Sequence, residues 1–135
     1  MKSIWALVLL ALLAGGPSVA AEPEDSIKAV IADQLAAFGR EDVAAAFQHA
    51  APGIQSKFGS AEAFGQMVQR GYPMVWAPAR WQWRGMSDGG FGPVQTVMFE
   101  DQNGVLWEAD YLMRDVDGTW RIGGVQLRRL PGVGS

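Results

Sequence analysis

Residues 58–76 read FGSAEAFGQMVQRGYPMVW, and the fold turns on this stretch. Upstream of it, apolar residues recur at helical spacing; downstream they alternate with period two. Ser60 stands where a helix N-cap belongs, its hydroxyl oxygen free to accept a backbone N–H. Phe64, Met67 and Val68 then form a short apolar stripe. Gly71 ends the helix. Tyr72-Pro73 takes the backbone out of helical geometry, because a proline disfavours the α region for the residue before it. A helical layer and a sheet meet here.

Working back towards the N-terminus, Ile27, Val30, Ile31, Leu35 and Phe38 fall on one helical face, with Asp25 or Ser26 as the expected cap. Gln34 falls on that same face. It reads either as an edge amide bonded to a loop carbonyl or as a polar group turned into a cavity. Gly39 ends this helix and Asp42 caps the next, whose buried side carries Val43, Phe47 and Ala50. Pro52 is expected to stop it, with Ile54 and Phe58 on one irregular turn. Gly65, inside the third helix, costs about 1 kcal/mol relative to alanine, so a close approach of another backbone is expected there.

After Trp76 the reading is strand. Trp81 and Trp83 alternate with Arg80, Gln82 and Arg84. Val94 to Glu100 and Val105 to Arg114 follow, separated by the hairpin Asp101-Gln102-Asn103-Gly104. The third strand has Trp107, Ala109, Tyr111 and Met113 on one face, and Glu108 and Asp110 on the other. Asp115-Val116-Asp117-Gly118 turns the chain into the last strand, Thr119 to Leu130. There the inward face switches from Trp120 and Ile122 to Val125 and Leu127. A β-bulge at Gly123 or Gly124, with special backbone angles, is the expected device. The fold class is α+β: three N-terminal helices on a curved four-stranded antiparallel meander, with a cone-shaped hollow between the layers.

The start of the chain reads differently. Met1-Lys2-Ser3, the apolar run Ile4 to Ala14 and the small residues before Glu22 have the pattern of a secretory signal peptide. Cleavage after Ala20 or Ala21 fits equally. The expectation is a leader over 1–21 and a single domain over 22–135, periplasmic or secreted, with no stable membrane anchor after cleavage. Loss of Lys2 leaves ten basic residues against fourteen acidic ones, a net charge of −4. That excludes a general nucleic-acid binder, which needs a positive field. There is no cysteine, so disulfides, thiol catalysis and thiolate metal sites are excluded and the core must carry the stability.

The segments Leu35-Ala36-Ala37-Phe38, Ala50-Ala51-Pro52-Gly53-Ile54, Phe58-Gly59, Met67-Val68, Gly71-Tyr72-Pro73-Met74-Val75-Trp76 and Trp120-Arg121-Ile122-Gly123-Gly124-Val125 resemble the bacterial family called domain of unknown function 4864. The family pattern has a serine where this chain has Ala51. The resemblance implies a place in the wider cystatin-like group of nuclear transport factor two, ketosteroid isomerase and SnoaL-type cyclases. It implies a pocket between sheet and helices. It implies no activity, because that fold hosts enzymes, binders and adaptors alike.

Candidate chemistry is sparse. His49 is the only histidine and lies off the apolar face of its helix. Glu108 and Asp110 could form an acid pair, but an outer face where they meet Arg84 or Arg121 fits the pattern better. The two Asp-rich hairpins resemble calcium loops without the closing glutamate, so they read as turns. No metal or cofactor is expected. Tyr72, Trp76, Gln34 and Tyr111 are the candidate ligand-binding residues. The leading expectation is a non-catalytic module that takes an apolar or aromatic small molecule or a protein partner. An isomerase- or cyclase-like enzyme using a pocket carboxylate or tyrosine is the alternative, and an envelope protein forming a homodimer through its sheet is the third.

Overall fold

The computed structural model describes residues 22–132. The expected leader over 1–21 lies outside the described residues. Among the described residues five helical segments precede four strands: α1 Pro23–Gly39, α2 Val43–Gln48, α3 Pro52–Phe58, α4 Ala61–Gly71 and α5 Pro73–Trp76, then β1 Arg80–Asp88, β2 Pro93–Glu100, β3 Leu106–Val116 and β4 Thr119–Arg129. The strands form one open antiparallel meander in the order β1-β2-β3-β4.

The expected count of three helices is therefore corrected. Pro52, expected as a stop, and Pro73, expected to lead out of helical geometry, each sit in the first turn of a new helix, as Pro23 does for α1. Proline lacks only an N–H that the first turn leaves unpaired anyway, and its φ is already helical. The cap of α1 is corrected too. Glu22, not Asp25 or Ser26, occupies the N-cap position, and its side chain makes no capping bond. Asp42 and Ser60 do cap: Ala45 N–H donates to Asp42 Oδ1 at 3.0 Å and Ala63 N–H to Ser60 Oγ at 3.1 Å.

Phe64, from the stretch that joins the layers, is a hub of the aromatic core. Its ring packs at 6.0 Å on Phe38, 5.4 Å on Phe47 and 5.9 Å on Phe58, so α1, α2, α3 and α4 converge on it. Gly65 beside it is occupied from α2, but by a side chain rather than the expected backbone: an added Cβ would run into Val43. The sheet presents Val97, Phe99, Ala109, Tyr111, Met113 and Ile122 to the helices, all buried. The inward face of β3 is as its alternation predicts.

Two irregularities bend the sheet. In β4 the pairing steps from Met113–Ile122 to Leu112–Gly124, so Gly123 is the extra residue. This is the expected bulge, but neither Gly123 nor Gly124 has positive φ. What needs glycine at Gly123 is space. The second bulge, between Trp83 and Met86 of β1, has no counterpart in the sequence reading. The buried Gln95 serves it: its Nε2 donates to Arg84 O at 2.8 Å and to Thr96 O at 3.0 Å. The β3–β4 turn is tighter than expected. It is the two-residue Asp117-Gly118 with φ of 53° and 86°, the positive values that a type I′ hairpin requires.

The helical layer is tied to one edge of the sheet. Ile122 N–H donates to His49 O, and Ala51 N–H donates to Ile122 O, both at 2.8 Å. The chain between α2 and α3 thus covers the first half of the β4 edge, and the bulge follows immediately.

Candidate functional site

The hollow between helices and sheet has a volume of about 550 Å3. Its floor is buried: Gln34 and Phe38 of α1, Phe64 and Val68 of α4, Val75 of α5, Tyr111 of β3 and Ile122 of β4. Its rim is the exposed Lys57 together with the part-exposed Ile54 and Phe58 of α3, Met67 of α4, Tyr72, and Gly123 to Val125 of β4. The bulge therefore stands at the mouth. Backbone rather than side chain forms that part of the rim, because two consecutive residues there are glycines.

Three of the four candidate residues line this hollow: Gln34, Tyr72 and Tyr111. Trp76 does not. It lines a second hollow of about 630 Å3 with Leu35, Glu41, Arg80 and Trp81. Phe38 stands between the two, lining both and packing on Trp76 at 5.5 Å. Tyr72 is not itself helical, with φ −135° and ψ 57°, so the i, i+4 spacing that puts two helical residues on one face does not bring it together with Trp76.

Gln34 combines parts of its two readings, with its anchor a carbonyl of α2 rather than of a loop. Its Nε2 donates to Ala46 O at 3.1 Å, which fixes the amide, and its side chain still borders the cavity. Tyr72 links α4 to α5: its N–H donates to Val68 O at 2.8 Å and its carbonyl accepts from Val75 and Trp76 at 2.9 Å each. Tyr111 is 1% exposed, and its hydroxyl has no hydrogen-bond partner in the protein. Burial pushes that phenol far above its ordinary pKa of 10.0, so it stays protonated and acts as a donor, not a base.

The carboxylates lie elsewhere. Arg128 reaches Glu108 at 2.7 Å and Asp110 at 2.8 Å, and Thr96 donates to Asp110 at 2.7 Å. Arg128 and Thr96 together hold the Asp110 carboxyl below its ordinary range. Arg84 approaches Glu108 at 4.0 Å, as expected, but the other partner is Arg128 rather than Arg121. Arg121 donates instead to Gln48 O at 3.0 Å. Asp110 is thus on the sheet face turned away from the cavity and does not join Tyr72 and Tyr111 in the lining. His49 is absent from the lining as well; burial, more than any charge, lowers its pKa.

In the Asp101 hairpin the carboxylate accepts from Asn103 N–H, Val105 N–H and Trp107 Nε1, so its oxygens are spent on the turn. Among the described residues no three His, Asp or Glu side chains gather into a metal-binding group. Nor is any described helix long and apolar enough to cross a membrane.

The family described as domain of unknown function (DUF4864) matches residues 20–134. The chain belongs to this family. No curated protein and no solved structure matches it. In this DUF4864 domain, then, the geometry of the cavity is the guide to function. Two residues had no place among the candidates: Lys57, which lines the cavity, and Gln95, which does not. Lys57 gives no pattern, being one exposed lysine among polar neighbours. Gln95 could have been found, because it interrupts the inward series Val97 and Phe99 with an amide.

Proposed function

We propose that this domain is a non-catalytic binding module of the cell envelope. Its cavity takes a small molecule with an apolar or aromatic body and a hydrogen-bond acceptor. One observation carries the reading: Tyr111 lines the cavity, and its buried hydroxyl has no partner in the protein. A buried donor left unpaired costs about 1–3 kcal/mol. A ligand acceptor beside it would remove that cost, and the rest of the lining, mostly Phe, Ile, Val and Met, would bury the ligand's body. The volume is in the range of small-molecule sites, about 300–1,000 Å3.

The enzyme alternative has less support. It needs a titratable base in the cavity, and the acids of β3 are held on the other sheet face by Arg128. Helices packed on one face of a bent antiparallel sheet with a hollow between them suit the cystatin-like group, and we assign the domain there on that likeness. Export rests on the leader-like residues 1–21. Mass spectrometry of the envelope fraction should give a mature N-terminus at Ala21 or Glu22; an intact Met1 there would refute cleavage.

Binding is tested with N-phenyl-1-naphthylamine, an uncharged apolar dye, and with benzophenone, which adds one ketone acceptor. The dye should bind saturably at one site and benzophenone should displace it. Ile54→Trp, which fills the mouth, should abolish both effects while the domain melts normally. Absence of saturable binding, or binding indifferent to Ile54→Trp, would refute the cavity reading.

A further inference from the structure

The cavity lining includes a single formally charged side chain, and it is a cation. Lys57 stands on the rim in the last turn of α3. Among the described residues no carboxylate pairs with it; its Nζ lies 5.6 Å from the centre of the Phe58 ring, which also lines the cavity. The ammonium thus lies near an aromatic wall of the mouth, with no carboxylate beside it among the described residues. Among the buried lining residues are Tyr111, whose hydroxyl has no partner in the protein, and Gln34, whose amide is anchored on Ala46 O. The other lining side chains, apart from Tyr72, are apolar.

We infer that the ligand is an amphiphilic organic anion. Its apolar body lies along Phe58, Phe64 and Val68, an uncharged acceptor meets Tyr111, and a carboxylate or similar anionic group stays at the mouth beside Lys57. This rests on the cavity being a binding site. It goes further by giving the occupant a charge and an orientation. The orientation follows from desolvation: an ion buried on the floor without a counter-ion costs several kcal/mol, whereas at the rim it keeps its water. The preference is local, because the chain as a whole carries a net charge of −3 and its overall field repels anions. Lys57 also complements the negative C-terminal end of α3, and that role holds it in the same place.

The test uses three probes with one body: benzophenone, benzophenone-4-carboxylate and 4-(aminomethyl)benzophenone, each displacing N-phenyl-1-naphthylamine from the full mature domain. Wild type should bind the carboxylate about two- to fivefold more tightly than the amine, the size that an exposed ion pair supports. The gap should shrink in high salt. Lys57→Gln should remove it and Lys57→Glu should reverse it, with uncharged benzophenone unaffected. Position 57 is exposed, so both variants should fold. Equal binding of carboxylate and amine to wild type would overturn the inference while benzophenone binding upholds the cavity. So would a carboxylate preference that survives Lys57→Glu, or a bound dye that none of the three displaces. If the dye itself fails to bind, the cavity reading falls and this inference with it.

Discussion

Gly123 of β4 lies against the Arg114 side chain of β3, so that a Cβ added at Gly123 would stand 2.7 Å from Arg114 Cγ and 2.9 Å from its Nε. Gly124, one residue on, has room: its added Cβ would meet Leu112 Cδ1 at 3.8 Å, an ordinary contact. The two glycines are therefore not equivalent. Gly123→Val should lower stability by about 1–3 kcal/mol through overpacking, and Gly124→Val by clearly less. Thermal unfolding of the two variants side by side checks this. Equal melting would mean that Arg114 moves aside freely.

Ala51 is the N-cap of α3, with the extended backbone that a cap needs and no side chain to do the capping. Serine stands at this position in the pattern that the chain resembles. Ala51→Ser should place a hydroxyl within reach of the first free N–H groups of α3 and stabilise the domain by about 0.5–2 kcal/mol. A lower melting temperature would show that the hydroxyl, at a site only 7% exposed, cannot find its partner.

His49 gives a pH dependence whose sign is fixed. Burial, opposed by Asp33 and reinforced by Arg121, lowers its pKa from 6.5 in the folded state. The unfolded chain therefore binds the proton more readily. The stability that neutral His49 allows is complete above pH 6.5 and declines as pH falls from there through the folded value. Wild type should lose melting temperature between about pH 7.5 and pH 5, and His49→Gln should lose less over the same range. Parallel profiles would remove His49 from the account. The loss would be felt at the junction of the layers, because the His49 carbonyl accepts from Ile122.

The sequence made the layers legible where one physical signal acted alone. The apolar face of α1, the Ser60 and Asp42 caps, the alternation of β3 and the face switch in β4 each follow from periodicity or hydrogen-bonding chemistry. It was less legible where one residue type serves two ends. Proline both breaks a helix and begins one, which hid α3 as a full element and α5 altogether; Tyr72, left outside helical geometry just before α5, then lines a different hollow from Trp76. The β1 bulge escaped because its stabiliser, Gln95, comes from the neighbouring strand and declares itself only through register. The cavity was readable in part. Gln34 and Tyr111 interrupt apolar faces with polar atoms, which marks them. The rim residues Lys57, Gly123 and Gly124 gather only when α3 and β4 have been packed together.

The central claim is that Tyr111 offers its hydroxyl to a ligand and not to the protein. Tyr111→Phe separates the two roles most directly. The measurement is the affinity of wild type and variant for benzophenone and for diphenylmethane, which has the same rings without the ketone, alongside the melting temperature of each free protein. The account predicts that the free variant melts at the same temperature or higher, because an unpaired buried hydroxyl has been removed. It also predicts that wild type prefers benzophenone by about fivefold or more and that the variant has lost this preference, the size of one hydrogen bond. A variant that melts lower by the equivalent of one hydrogen bond, yet keeps the wild-type preference, would contradict it.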